Sequence, residues 1–324
     1  MRGADMVTDD AAAVPPVGRL APSPTGVLHL GNARTFLLTW LCVRARGGTL
    51  LLRIEDIDGP RVKDGAERST LDDLRWLGLD WDGVLLRQSD HLARYGALVD
   101  DLLARGLAYP CVCTRKEVED AASAPHEDWL DTAPYPGTCR GRFASPADAR
   151  VATGREPAVR FAVDVDRVPF TDDFRGAEKG RIAGDFVIQK RDGEPAYQMA
   201  VVADDHRQGV TQVVRGDDLV PSTPRQLLLY RAFGWTPPRF AHLPLLVGTD
   251  GRRLAKRHGD TSLGAFRARG VHRERIVGWL AACSGLAALG EELDARALLE
   301  RSRGEPAILR KVPHAPVVVR GDEF

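Results

Sequence analysis

The chain has 324 residues, enough to bury a sizeable core in one large domain or a few smaller ones. Its 45 lysines and arginines balance 45 aspartates and glutamates, so no global basic field announces RNA, and any nucleic-acid contact must rest on local patches. No apolar run reaches membrane-spanning length and three of the five cysteines cluster, so a soluble, cytoplasmic monomer without membrane contact is expected.

Residues 1–17 carry acids and prolines instead of a signal-peptide core and predict a disordered extension. Arg19 to Ala21 reads as the end of a buried strand, and Pro22 and Pro24 forbid early helix, so the chain must turn there. Gly26 and Gly31 give the backbone room for a ligand. Phe36, Leu37, Trp40 and Leu41, with Gly47 and Gly48 beyond them, predict a helix starting near Gly31 or Asn32. A helix N-terminus beside His29 suits a phosphate, because free N–H groups and an imidazole donor face the same anion.

Thr49–Ile54 (TLLLRI) fits a central parallel strand that ends in Glu55, Asp56 and Asp58. Ligands of open parallel sheets bind at the carboxyl ends of strands, which places Glu55 beside the His29 turn. Helices are expected over 64–77 and 90–105. Cys111, Cys113 and Cys139 lie within thirty residues, and three thiols in a reducing compartment favour zinc over a disulfide. His126, Tyr135, Asp128 or a water could supply the fourth ligand, histidine being the commonest by general frequency. Arg115, Lys116, Arg140 and Arg142 flank the cluster, as a solvated face or as contacts to RNA phosphates. Cys42 and Cys283 stand in apolar helical contexts and read as core.

Strands are expected over Asp185–Gln189, Thr211–Val214 and Leu243–Val247, with a helix from a Ser222 cap to Phe233. Arg215 closes the second of these strands, where a guanidinium could grip a carboxylate bidentately or pair with Asp217 or Asp218. Arg253, Lys256 and Arg257 follow the turn signal Thr249-Asp250-Gly251, forming a loop whose cations could close over a triphosphate. Val271–Cys283 and Glu291–Glu300 predict two short helices, and the tail from Glu305 lacks a pattern. The alternation of strand and helix indicates an α/β nucleotide-binding protein.

Arg19–Arg34, RLAPSPTGVLHLGNAR, resembles the HIGH region of class I aminoacyl-tRNA synthetases in the form found in the glutamyl and glutaminyl branch. The loop at Arg253–Arg257 resembles the family's KMSKS loop, with Arg253 in place of the first lysine and Ala255 in place of the serine. Four motifs in family order run from Arg19 to about Leu263. The resemblance implies a Rossmann-like parallel sheet with an inserted zinc-binding, acceptor-type subdomain and a short helical C-terminal region. Expected boundaries are an extension at 1–17, catalytic halves at 18–108 and 185–247, the insert at 109–184, and the loop with the C-terminal region at 248–324. It also implies glutamate contacts from Arg19, Ala21, Ser23, Glu55, Tyr197 and Arg215, and ATP contacts from His29, Gly31, Asn32 and Lys256, with His29 and Lys256 catalytic. On charge, Glu55 fits the α-ammonium, and Arg19 and Arg215 fit carboxylates.

The CxC and Y-x3-C spacing, the YQMAVVADD run and the short stretch after Asp260 resemble glutamyl-Q tRNA(Asp) synthetases. In that family the tyrosine oxygen completes the zinc site, which selects Tyr135 beside the three cysteines. About sixty residues follow Asp260, too few for an anticodon-reading domain. The implied activity is tRNA-independent activation of L-glutamate with ATP, assisted by Mg2+, then transfer to queuosine in the anticodon of tRNA(Asp). A truncated glutamyl-tRNA synthetase that charges the 3′ end of tRNA(Glu), and a non-catalytic tRNA-binding paralogue, remain the alternatives.

Overall fold

The computed structural model describes residues 14–57, 62–121, 135–252, 254, 261–303, 305, 307–320 and 323–324. Three strands open the chain in parallel, β1 (Val17–Leu20), β2 (Thr49–Ile54) and β3 (Asp82–Arg87), joined by helices α1 (Leu30–Arg44) and α2 (Ala66–Trp76). Helix α3 (Leu92–Ala104) follows. Strand β1 already begins at Val17, so the expected N-terminal extension ends earlier than residue 17, and residues 1–13 lie outside the described residues. The α1 run is long because Leu37, Leu38 and Leu41 repeat on one face, and it can lie close to β1 because residue 18 is glycine. A Cβ there would sit 2.4 Å from Val43 Cγ2.

A small antiparallel sheet comes next. It is made of β4 (Ala108–Cys111), β5 (Ala158–Phe161) and, later in the chain, β8 (Phe186–Gln189), with helices α4 (Arg115–Ala121) and α5 (Pro146–Thr153) between the first two. Strands β6 (Phe170–Asp172) and β7 (Gly176–Glu178) lie between β5 and β8 in sequence but pair elsewhere. This redraws the expected boundary at 184. The strand assigned to the second catalytic half, β8, belongs to the insert's sheet, whereas β6, from within the insert, joins the catalytic sheet.

Helix α6 (Tyr197–Arg207), β9 (Gln212–Gly216), α7 (Thr223–Phe233) and β10 (Arg239–Leu243) complete the nucleotide-binding architecture. Strand β10 is parallel to both β9 and β6, and β9 meets β1 through Thr211 N–H donating to Val17 O at 2.8 Å. The resulting order is β3-β2-β1-β9-β10-β6-β7, with the direction of winding reversing between β1 and β9. Such a switch point leaves a crevice at the carboxyl ends of the two strands. Ser222 precedes α7 but does not cap it; its hydroxyl accepts instead from Gln198 Nε2 at 2.9 Å. The strand expected over Leu243–Val247 is two. Pro244 ends β10, and β11 (Leu246–Val247) pairs with β12 (Val317–Val318) from the tail that showed no pattern.

Helices α8 (Leu263–Ala268), α9 (Arg273–Ala282) and α10 (Ala295–Ser302) close the chain. Ile276, Leu280 and Leu298 share one core with Leu37, Leu38 and Leu41 of α1, so the C-terminal region buttresses the helix that opens the crevice. Arg34 locks this packing from inside, donating to Ser284 Oγ at 3.1 Å and Pro244 O at 2.6 Å. Among the described residues no helix is long and apolar enough to cross a membrane.

Candidate active site

The turn after β1 is held against the end of β2 by Glu55 N–H donating to Pro22 O at 3.0 Å, which sets Glu55 beside the His29 turn as the strand order requires. His29 is the N-cap of α1 in extended conformation. Its Nδ1 accepts from Gly31 N–H at 3.1 Å, and Asn32 Oδ1 accepts from His29 N–H at 3.4 Å, a reciprocal capping arrangement. Because Nδ1 is an acceptor, the hydrogen of the neutral ring belongs on Nε2, the orientation that suits an anion. Glycine at 31 leaves room for the imidazole, since a Cβ there would sit 3.0 Å from His29 Cε1 and Nδ1 and the ring would have to shift. Gly26 differs, since a Cβ there would meet open space.

A cavity of about 420 Å3 opens at the switch point. Arg19, Ala21 and Ser23 line it from β1 and its turn, His29, Gly31 and Asn32 from the start of α1, and Glu55, Tyr197 and Arg215 from β2, α6 and β9. Nine residues scattered from 19 to 215 in sequence thus share one concavity. Lys256 lies outside the described residues. The segments on either side of its loop are anchored at the same place: β11 contributes Leu246 to the cavity wall, and Thr261 O accepts from Leu30 N–H at 3.1 Å.

Beneath the cavity is a buried ionic network. Arg53, fully buried in β2, donates from Nη1 to Asp205 Oδ1 at 2.7 Å and to Gln208 Oε1 at 2.9 Å, and from Nη2 to Glu55 Oε1 at 3.0 Å. Asp204 lies 3.9 Å from Arg53 Nε and accepts from Tyr95 Oη and Gln88 Nε2, both at 2.9 Å. Arg19 Nε approaches Asp205 Oδ1 at 3.5 Å. Burial works against the Arg53 charge, but the carboxylates of Asp205, Glu55 and Asp204 outweigh it and hold the guanidinium protonated. Burial pushes the Glu55 carboxyl above its ordinary range, with Arg53 and Arg19 opposing the shift. Three cations, Arg53, Arg19 and Arg207, the last 3.4 Å from Asp204, therefore face the three carboxylates of Asp205, Glu55 and Asp204 in a largely buried setting.

Arg215 sits across from that network. Its hydrogen bonds go to His242 Nε2, Thr223 Oγ1 and Leu219 O, and not to the carboxylates of Asp217 or Asp218. Its Nη1 is buried without a hydrogen-bond partner among the described residues.

The family model for class I tRNA synthetases (E and Q), catalytic domain, matches residues 17–294. The chain is 48% identical over 280 residues to a glutamyl-Q tRNA(Asp) synthetase of Symbiobacterium thermophilum, covering 83% of this chain and 86% of that one. A glutamyl-Q tRNA(Asp) synthetase of Rhodopirellula baltica is 49% identical over 284 residues, covering 83% and 85%. The chain belongs to the glutamyl-Q tRNA(Asp) synthetase family. The crystal structure of a glutamate tRNA ligase from Elizabethkingia meningosepticum in complex with its amino acid superposes with a TM-score of 0.79 at 28% identity, over 96% of this chain and 68% of that one.

The second cluster of this synthetase lies in the insert. Cys111, Cys113 and Cys139 place their sulfurs within 4.8 Å of one another, as the one group of three such ligands found among the described residues. The Tyr135 hydroxyl lies 3.4 Å from Cys111 Sγ and 3.6 Å from Cys113 Sγ, and accepts from Cys139 N–H at 2.8 Å. Tetrahedral zinc with Zn–S bonds of ~2.3 Å separates its sulfurs by about 3.8 Å. The Cys113–Cys139 distance of 3.5 Å is close to that spacing, so the donor set fits the ion. Arg160 adds a cation, donating from Nε to Cys111 Sγ at 3.2 Å and stacking 3.8 Å from the Tyr135 ring centroid. His126 and Asp128 lie outside the described residues.

Sequence reasoning did not single out Arg53, Asp204, Asp205, His242 or Asp172. For Arg53 a signal existed: a charge inside the apolar strand TLLLRI must find partners when both faces are covered. For His242 and Asp172 there was none, since nothing in either local run sets it apart.

Proposed function

We propose that this chain activates L-glutamate with ATP, without needing tRNA, and then esterifies glutamate to queuosine in the anticodon of tRNA(Asp). One observation carries the reading. A capped helix start that suits phosphate and a pair of buried arginines with a carboxylate that suit an amino acid line the same cavity, in a chain that aligns with glutamyl-Q tRNA(Asp) synthetases over most of both lengths.

In this reading Arg215 and Arg19 take the carboxylate groups of glutamate, Glu55 takes the α-ammonium, and Tyr197, Ala21 and Ser23 shape the pocket. The α-carboxylate attacks the α-phosphorus of ATP in line, forming a P–O bond as the bond to pyrophosphate breaks. A magnesium ion brought in with ATP would neutralise oxygens of the leaving pyrophosphate. His29 Nε2–H, the amides of Gly31 and Asn32, and Lys256 stabilise charge on the phosphates. A queuosine hydroxyl then attacks the carbonyl of the mixed anhydride and releases AMP, with the phosphate of the adenylate as the available base. Cys111, Cys113, Tyr135 and Cys139 hold one structural zinc, which cross-links the insert and takes no part in either step.

The test is exchange of labelled pyrophosphate into ATP with glutamate and no tRNA, followed by mapping of labelled glutamate on tRNA(Asp). Exchange without tRNA and label confined to the anticodon fragment of queuosine-containing tRNA are expected. Label on the 3′ adenosine favours the truncated glutamyl-tRNA synthetase, and no exchange by folded protein favours the binding paralogue.

A further inference from the structure

Three adjacent strands each contribute one buried polar side chain to a single line: Asp172 from β6, His242 from β10 and Arg215 from β9. Asp172 Oδ2 lies 2.6 Å from His242 Nδ1, and His242 Nε2 lies 2.9 Å from Arg215 Nε. A guanidinium can only donate, so His242 Nε2 must present its lone pair. The ring is then neutral with its hydrogen on Nδ1, donating to Asp172. Burial holds the imidazole below its ordinary pKa, with Asp172 opposing and the charge of Arg215 assisting, in keeping with a neutral ring.

The other side of Asp172 fixes which oxygen does this. Oδ1 accepts three backbone N–H groups, from Phe174 at 3.0 Å, Arg175 at 2.9 Å and His242 at 3.2 Å. Oδ2 is thereby aimed at the imidazole. At the far end, Arg215 Nη2 is tied to Thr223 Oγ1 at 2.9 Å, leaving Nη1 as the guanidinium nitrogen without a partner among the described residues. Two of three nitrogens are spent on orientation, and the third is left over.

We propose that Asp172 and His242 form a positioning dyad that fixes the imidazole tautomer, and through it the orientation of Arg215 toward the carboxylate of the amino acid. This rests on the reading that Arg215 binds that carboxylate. Neither residue touches substrate. Their work is to hold the fork in a dry site where a free guanidinium would have other rotamers to occupy.

The geometry supplies an isosteric test. In Asp172→Asn the three backbone donors keep the amide oxygen at the Oδ1 position and force the amide nitrogen toward His242. The imidazole must then accept at Nδ1 and carry its hydrogen on Nε2, pointing a donor at Arg215. The expected result is a KM for glutamate raised ten-fold or more in ATP–pyrophosphate exchange, with KM for ATP and kcat within about three-fold of wild type. His242→Gln, whose amide oxygen can accept from Arg215 Nε, should stay within about three-fold on every parameter. Folded Asp172→Asn with an unchanged KM for glutamate overturns the dyad. Should that variant fail to fold, the 15N imidazole shifts of His242 in the wild-type chain decide, and an Nε2–H tautomer refutes the proposal. Arg215→Ala run alongside separates the two claims. If it leaves KM for glutamate unchanged, the carboxylate reading itself fails; if it abolishes activation while Asp172→Asn is silent, the dyad alone fails.

Discussion

Arg53→Met is the substitution that tests the buried network most directly. Methionine fills most of the space of the arginine stem, so the change removes a charge without opening a large cavity. What remains is Asp205, Glu55 and Asp204, which Arg53 had held at 2.7, 3.0 and 3.9 Å. Arg19 approaches Asp205 at 3.5 Å and Arg207 approaches Asp204 at 3.4 Å, whereas among the described residues Glu55 keeps only the longer-range attraction of Arg19. Breaking a buried ion pair by removing one partner costs about 3–5 kcal/mol, because the other charge stays behind without compensation. At roughly 2 °C per kcal/mol for a chain of this size, the melting temperature should fall by about 6–10 °C. The same substitution unmoors Glu55, so KM for glutamate should rise in the exchange assay while KM for ATP changes little. Thermal melts with exchange kinetics below the new midpoint measure both. A variant that melts within 2 °C of wild type and keeps its KM for glutamate would refute the view that Arg53 holds these carboxylates.

Arg215→Ala should abolish glutamate activation, since two charge-assisted hydrogen bonds of about 1.5–3 kcal/mol each correspond to roughly 10²–10⁴ in kcat/KM, read by pyrophosphate exchange. Cys111→Ser should release the metal, measured by zinc content after dialysis, and impair folding of the insert or tRNA use more than tRNA-independent activation. Equal loss of exchange in Cys111→Ser and Arg215→Ala would contradict that division. Asp73 gives the pH prediction. Burial pushes its carboxyl from 3.8 up to about 6, against the attraction of Arg267. The folded state then binds the extra proton across that window, so stability falls as pH rises through it. Asp73→Asn, which mimics the protonated form, should gain melting temperature relative to wild type between pH 5 and pH 8; a constant difference across that range would show that Asp73 does not titrate there.

Local pattern was enough for the elements with strong periodicity or punctuation. Helix α1, with its leucine stripe and following glycines, and β2, an unbroken apolar run, lie where the sequence places them. Helix α6 was less legible because nearly its whole circumference is buried, so the run from Gln198 to Asp205 carries no polar face to mark its period. The two parts of Leu243–Val247 read as one strand because hydrophobicity is continuous across Pro244, and only the pairing of β11 with β12 shows that the chain has changed sheets. The exchange of β6 and β8 between sheets was invisible for the same reason: a strand's composition reports burial, not its neighbour.

Residue types and their spacing fix the chemistry on offer: a histidine at a helix start, thiols grouped with a tyrosine, and arginines and a glutamate at strand ends. Those signals are short-range, since they depend on residue type and spacing within a few turns of chain. Which of these groups face one another follows from the packing of sheets and helices. Arg53 meets Asp205 across 152 positions, His242 meets Asp172 across 70, and the capped start of α1 meets Arg215 at one switch point. A buried charge is held by whatever partner the packing of sheets brings within about 3 Å, and no local pattern encodes that distance.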